Sequence, residues 1–189
     1  MLFRSPFNPI SVAIGAEATF VARTIDSDRA HLQATLRAAA QHDGTALVEI
    51  YQNCDIFNDG AFAPLKDADT RDDVTIRLVH GQPIIFGSNQ DRCVVRGANG
   101  GLTVASVSQV DAAEIVVHDE QAADPTYAFG LSRLSHPETL QDTPIGIFRS
   151  VSRPVYDTLM RDQVTAAIES QGIGVLDELL LGKDTWQVS

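Results

Sequence analysis

Cysteine is scarce in this chain, and so are aromatics and basic residues. Among 189 residues there are two cysteines and one tryptophan, and 14 Lys and Arg stand against 25 Asp and Glu. Each shortage excludes something. Two thiols cannot build a disulfide framework. The N-terminus lacks a basic stretch leading into an apolar core, so no secretory signal is read and a reducing, cytoplasmic setting is expected. No Cys-x-x-Cys pair occurs, and two thiolates fall short of the four that an iron–sulfur cluster usually takes. The formal charge of −11 is wrong for a nucleic-acid backbone, which selects clustered Lys and Arg, and for an anionic membrane surface. No apolar run approaches the roughly 20 residues of a membrane helix. No Gly-x-Ser-x-Gly elbow is present, and the histidines lack zinc-type spacing. What remains, at 44% hydrophobic and 21% charged, is a globular chain of one domain or one domain with a smaller appendage.

The first sixty residues read as alternating helix and strand. Asn8 can cap a helix that Pro9 opens, running to about Glu17 with Ile10, Ile14 and Ala18 on one face. A short buried strand follows at Thr19–Ala22, and the polar stretch Arg23–Asp28 reads as a turn. Ser27 or Asp28 can cap a second helix ending near Gln41, with Leu32 above Leu36 and Gly44 just beyond its end. Thr45–Tyr51 is almost continuously apolar, as suits a parallel strand covered on both faces. Two strands joined by such a helix imply a right-handed crossover, with functional groups gathered beyond the strands' carboxyl ends. The segment lying there is Gln52-Asn53-Cys54-Asp55-Ile56-Phe57-Asn58-Asp59-Gly60. Taken alone, Cys54 is most simply a small apolar filler. Glu49, inside the apolar strand, is most simply a carboxylate satisfied by a neighbouring helix or a partner chain.

The second half shifts in character. Lys66–Asp73 is a charged linker by composition. Val74, Ile76 and Leu78 alternate with polar neighbours, and Ile84–Phe86, Cys93–Val95 and Leu102–Val104 are separated by Gly-containing turns, as in hairpins. Ile115–Val117 reads as a strand entering a solvated surface turn at His118-Asp119-Glu120, because adjacent strand residues point to opposite faces and cannot grip one ion. Asp124-Pro125 opens a helix carrying Tyr127, Leu131 and Leu134 on one face, and Ile145–Phe148 is a strand. Pro154 to about Ser170 reads as a helix with Tyr156, Met160, Val164 and Ala167 as its apolar stripe, and Val175–Leu181 as a short docking helix or a partly disordered tail.

Two blocks carry a family resemblance. Asn8–Arg23 (NPISVAIGAEATFVAR) and Val48–Gly60 (VEIYQNCDIFNDG) resemble the beta subunit of 2-oxoacid:ferredoxin oxidoreductases, with the 2-oxoglutarate-type enzymes closest. Arg77–Ile84, Asp124–Phe129 and Thr143–Arg149 fit in the same order, so the likeness runs from about Pro6 to about Met160. It implies an α/β fold: the carboxyl-terminal half of a thiamine-diphosphate-binding fold, a parallel sheet flanked by helices, over residues 6–63. A linker at 64–73, a smaller α+β extension at 74–170 and a tail at 171–189 follow. Residues 1–5 match nothing in the family.

The resemblance also implies a reaction: oxidative decarboxylation of a 2-oxoacid to its acyl-coenzyme A, with electrons leaving through a 4Fe–4S cluster to ferredoxin. In cluster-bearing beta subunits one thiolate ligand lies in the loop that here reads Gln52-Asn53-Cys54, so Cys54 looks like the fourth cluster ligand, with Asn53 and the amides after Cys54 as hydrogen-bond donors to sulfur. Cys93 matches no ligand and stays a filler. The family's Gly-Asp-Gly motif for magnesium and the diphosphate is absent from the sequence. No catalytic residue and no residue for thiamine diphosphate or Mg2+ is therefore assigned. The resemblance implies the carboxyl-terminal portion of a subunit nearly twice as long, inactive by itself, whose partners are the alpha subunit, ferredoxin, a 2-oxoacid and coenzyme A. The alternative reading is a non-catalytic assembly module of such a complex.

Overall fold

The structure is a computed structural model that describes residues 7–182 and Trp186. Residues 1–5 lie outside the described residues, as do 183–185 and 187–189 of the expected tail. The chain divides into two compact units, one ending at Arg153 and one beginning at Pro154.

The first unit opens with α1 (Pro9–Gly15), capped by Asn8, whose side chain accepts from the Ser11 amide at 3.0 Å. The helix is shorter than the sequence pattern suggests. Glu17 adopts φ +62°, a left-handed conformation that ends the helix. Ile10 and Ile14 point into the core as expected.

β1 spans Phe20–Ile25 and is buried along its whole length. The turn expected from Arg23 is instead three further strand residues. Their polar groups find partners and so can be buried. Arg23 Nε donates to Glu49 Oε2 at 2.6 Å, and Thr24 Oγ1 meets His31 Nδ1 at 2.8 Å. α2 (Arg29–Gln41) follows, capped by Asp28. Only Thr35 of this helix is fully buried, while Leu36 remains 43% exposed, so the expected Leu32/Leu36 face is not a sealed one. Gly44, at φ +137°, turns the chain where a Cβ would stand 2.5 Å from Thr19 Oγ1.

β2 (Ala46–Tyr51) runs parallel to β1, with Phe20 opposite Ala46 and Ile25 opposite Tyr51. It is the edge of the sheet rather than a strand covered on both faces, and its residues are only half-buried or exposed. The carboxylate of Glu49 is satisfied from the neighbouring strand, by Arg23, rather than from a helix.

The segment read as a linker is folded against the sheet. It holds α3 (Ala63–Lys66) and α4 (Arg71–Val74). Leu65 and Val74 insert beside Ile25 and Ile145, and Lys66 pairs with Asp26 at 2.7 Å. β3 (Thr75–Arg77) then lies parallel to β7 (Thr143–Ser150), which runs antiparallel to β1. The resulting sheet, β2-β1-β7-β3, contains two parallel pairs joined by one antiparallel seam. Strands from residues 6–63 and from 74–170 share it. Gly146, at φ +134°, sits where β7 passes Leu78, whose carbonyl oxygen lies 2.8 Å from where a Cβ would be. Only glycine tolerates both the torsion and the approach.

A smaller antiparallel meander, β4 (Ile85–Phe86), β5 (Arg92–Arg96) and β6 (Leu102–Ser106), realises the expected hairpins. α5 (Thr126–Ser132) packs beside α1, with Leu131 fully buried and Asp124 accepting from the Thr126 amide. The main core joins α1, β1, β3, β5, α5 and β7 through Ile10, Val21, Ile76, Val94, Leu131 and Phe148.

His118 is a correction. It is not in a solvated turn but 1% exposed. Its Nε2 faces the Ile147 carbonyl oxygen at 2.8 Å and must donate there, so Nδ1 accepts from the Tyr127 hydroxyl at 2.9 Å. Burial pushes that hydroxyl up to about 12, which keeps it a donor. Burial also holds the imidazole below the ordinary histidine value, against the opposing pull of the Ile147 carbonyl. Burial depresses His31 too, with Arg77 adding to the effect. Below about pH 6.5 the unfolded chain takes up protons at both sites before the folded chain does. Stability is therefore expected to fall as pH drops through that value, seen as a decreasing urea midpoint between about pH 7.5 and 5.5. A His118→Asn chain should show a shallower slope. An equal slope in the two chains would assign the whole effect elsewhere.

The second unit holds α6 (Tyr156–Gln171) and α7 (Leu176–Leu181). Neither contains a buried residue, so the stripe at Tyr156, Met160 and Val164 forms on a helix as predicted but is not sealed. An Arg161–Asp157 pair at 2.9 Å braces the first turn of α6.

Candidate functional site

The loop Gln52–Gly60 leaves the carboxyl end of β2. Above it the strand is anchored twice. Arg23 is 2% exposed, pairs with Glu49, and places its guanidinium 4.9 Å from the centre of the Tyr51 ring. Tyr51 in turn stacks on Phe62 at 4.4 Å between ring centres. Where the strand ends, the backbone bends back on itself. The Asn58 amide donates to the Cys54 carbonyl oxygen at 2.8 Å.

Cys54 is exposed. The N–H groups of Phe57 and Ile56, with that of Asn58, hold its thiol below the ordinary thiol range. Backbone amides gathered this way favour the anionic form of sulfur, which is the form that binds metal. Asn53 does not donate to this sulfur. Both N–H groups of its side chain are taken, by Asp55 Oδ1 at 2.5 Å and Asp59 Oδ1 at 3.0 Å, and its oxygen accepts from the Gly60 amide at 2.9 Å. The loop tip, Ile56 and Phe57, is 84% and 89% exposed.

Cys93 is elsewhere and of another kind. It is fully buried on β5 beside Val95 and Ile115, and burial pushes its thiol up. The structure therefore does not bring the two cysteines together. Among the described residues no group of three or more His, Cys, Asp or Glu side chains is arranged to hold a metal ion, and no helix is long and apolar enough to cross a membrane. Arg23, read from the sequence as the start of a turn, is instead a strand residue paired with Glu49, 26 positions away, and no local pattern marks that pairing.

A cavity of about 560 Å3 opens near the start of β1 and the end of β7, lined in part by His42, Asp43, Arg149 and Arg153. Cys54 follows the opposite end of the parallel pair. Both arginines of the cavity are already engaged by Glu17, at 3.7 and 2.7 Å.

No family model matches the sequence. The 2-oxoglutarate oxidoreductase subunit KorB of Mycobacterium tuberculosis is 54% identical over 185 residues, which are 97% of this chain and 49% of that protein. A 2-oxoacid:ferredoxin oxidoreductase beta subunit of a Sulfolobus species is 42% identical over 52 residues, 28% of this chain and 17% of its own length. Among solved structures, the 2-oxoglutarate:ferredoxin oxidoreductase of Magnetococcus marinus, with 2-oxoglutarate, coenzyme A and succinyl-CoA bound, superposes with a TM-score of 0.56 at 17% identity. That match covers 95% of this chain and 44% of the other, and the likeness is one of fold. The chain thus spans about half the length of the M. tuberculosis subunit, and over nearly all of its own length it is similar in sequence to that 2-oxoglutarate oxidoreductase subunit.

Proposed function

We propose that this chain forms part of the beta subunit of an enzyme that oxidatively decarboxylates a 2-oxoacid, 2-oxoglutarate by its similarity, and that Cys54 is one thiolate ligand of a 4Fe–4S cluster. The reaction balances as 2-oxoacid plus coenzyme A plus two oxidised ferredoxins giving acyl-coenzyme A, carbon dioxide, one proton and two reduced ferredoxins. In this family thiamine diphosphate with Mg2+ supplies the decarboxylation chemistry, and the cluster accepts single electrons.

The observation that carries the reading is the placement of Cys54. It is a solvent-facing thiol beyond the carboxyl end of a parallel strand, backed by amides that favour thiolate. Such a donor fits a cluster sulfur ligand, and the same amides can donate to sulfur, which raises a cluster's potential. A filler cysteine looks different, and Cys93 shows what that looks like.

On this reading the chain works only in company. Three further thiolates must come from outside it, since Cys93 is sealed in the core. With no Gly-Asp-Gly motif in the sequence, the residues gripping thiamine diphosphate and Mg2+ also lie outside it, and the chain alone is inactive. The partners are the alpha subunit, ferredoxin and coenzyme A, in the cytoplasm.

The test is an anaerobic assay of the beta subunit carrying this sequence, complexed with its alpha subunit. Ferredoxin reduction should require both a 2-oxoacid and coenzyme A, with 2-oxoglutarate preferred over pyruvate. Absence of reduction with every 2-oxoacid, in a complex that contains both subunits, would overturn the proposal.

A further inference from the structure

We infer that Asn53 is a positioning residue for Cys54: its side-chain amide, bonded to Asp55, Asp59 and the Gly60 amide, holds the loop so that the sulfur and the amides of Ile56, Phe57 and Asn58 face one another. The inference rests on the reading of Cys54 as a metal ligand and adds to it the device that shapes the ligand loop.

Neither apolar burial nor ion pairing holds this loop. Ile56 and Phe57 point outward and residues 54–60 are all exposed. No basic side chain pairs with Asp55 or Asp59 among the ion pairs of the described residues. What does cross the loop are hydrogen bonds, and three of them end on one side chain. A carboxamide has two donor hydrogens and one acceptor oxygen. Here both hydrogens bridge two carboxylates that would otherwise repel, while the oxygen ties Gly60, the last residue of the loop, back to residue 53. Gly60 itself turns with φ +73°, a conformation open to glycine.

The identity of the residue follows from this geometry. Aspartate would keep the acceptor for Gly60 but place a third carboxylate between Asp55 and Asp59 and lose both donors. Alanine would lose all three bonds. Either change leaves β2, Cys93 and the core untouched. Groups that orient a ligand without touching the metal typically matter at the level of ~10–100-fold in metal affinity.

Two measurements test the inference. In the anaerobically prepared complex of beta and alpha subunits, iron loss to a chelator is timed for wild type, Asn53→Ala, Asn53→Asp and Cys54→Ser. In the 189-residue chain itself, backbone amide exchange is followed at Asn58 and Gly60. Asn53→Ala should release iron ~10–100-fold faster and lose protection at both amides, with an unchanged urea midpoint. Asn53→Asp should release iron equally fast yet keep part of the Gly60 protection. An iron-loaded wild type whose Asn53→Ala counterpart releases iron at the same rate, or a variant whose Asn58 and Gly60 amides exchange as before, overturns this inference and leaves the Cys54 reading standing. A wild-type complex that holds no iron overturns both.

Discussion

On the proposed reading, replacing Cys54 by serine is expected to empty the cluster site of the assembled enzyme. Serine is nearly isosteric, so the loop should keep its shape. The Asn58 amide still meets a residue 54 carbonyl, and the Asn53 bonds do not involve the sulfur. What changes is the donor, from a soft sulfur that iron clusters select to a hydroxyl that stays protonated. Ferredoxin reduction should fall by more than ~100-fold, beyond the range typical of outer partners, and the visible absorption of the cluster should fall in parallel with iron and sulfide. Cys93→Ala is the matched control, because that thiol is fully buried and its loss should leave iron content unchanged. A Cys54→Ser complex that retains full iron content and full electron transfer would remove Cys54 from the cluster.

The largest expected effect on stability is at Glu49. Its carboxylate answers a guanidinium that is 2% exposed and lies 2.6 Å away, and Glu49 itself is only 17% exposed. The remaining reach of Arg23, to Ser135 Oγ and the Pro144 carbonyl, is long at 3.4 Å. Glu49→Ala therefore leaves a charge stranded between β1, β2 and β7. Removing one member of a buried pair costs about 3–5 kcal/mol, a large part of the roughly 5–15 kcal/mol that holds a domain together. The urea midpoint should drop accordingly. A paired change, Arg23→Met with Glu49→Leu, removes both charges and should recover most of that loss. If Glu49→Ala unfolds no more readily than wild type, the pair contributes geometry and not stability. In the assembled enzyme this change should also loosen β2 immediately ahead of Cys54.

Legibility in the sequence varied with how local the governing interaction was. The Asn8 cap, the helix at 29–41 and the hairpin turns at Gly87 and Gly97–Gly101 were readable, because each depends on neighbours a few residues away. The alternation at Val74, Ile76 and Leu78 was not a clean strand: Val74 closes α4, and Thr75 is buried with Ile76. The continuation of β1 through Arg23 and Thr24 was not readable. Polar residues in a strand are legible only once the partner that neutralises them is known, and Glu49 is 26 positions away. His118 failed for the same reason, since its partners Tyr127 and Ile147 lie on α5 and β7. The edge position of β2 was hidden too. An apolar run reads the same whether a neighbour covers it or not.

At the site, sequence by itself determined which thiol stands in the stretch of family resemblance and where on the chain it lies: one cysteine shortly after a β-segment. Tertiary structure alone decided that this thiol faces solvent while Cys93 is sealed, and that Asn53 spends its hydrogen bonds on the loop and not on sulfur. The physical reason is that residue identity sets what a group can donate or bind, whereas burial and hydrogen-bond allocation depend on which distant segments fold against it.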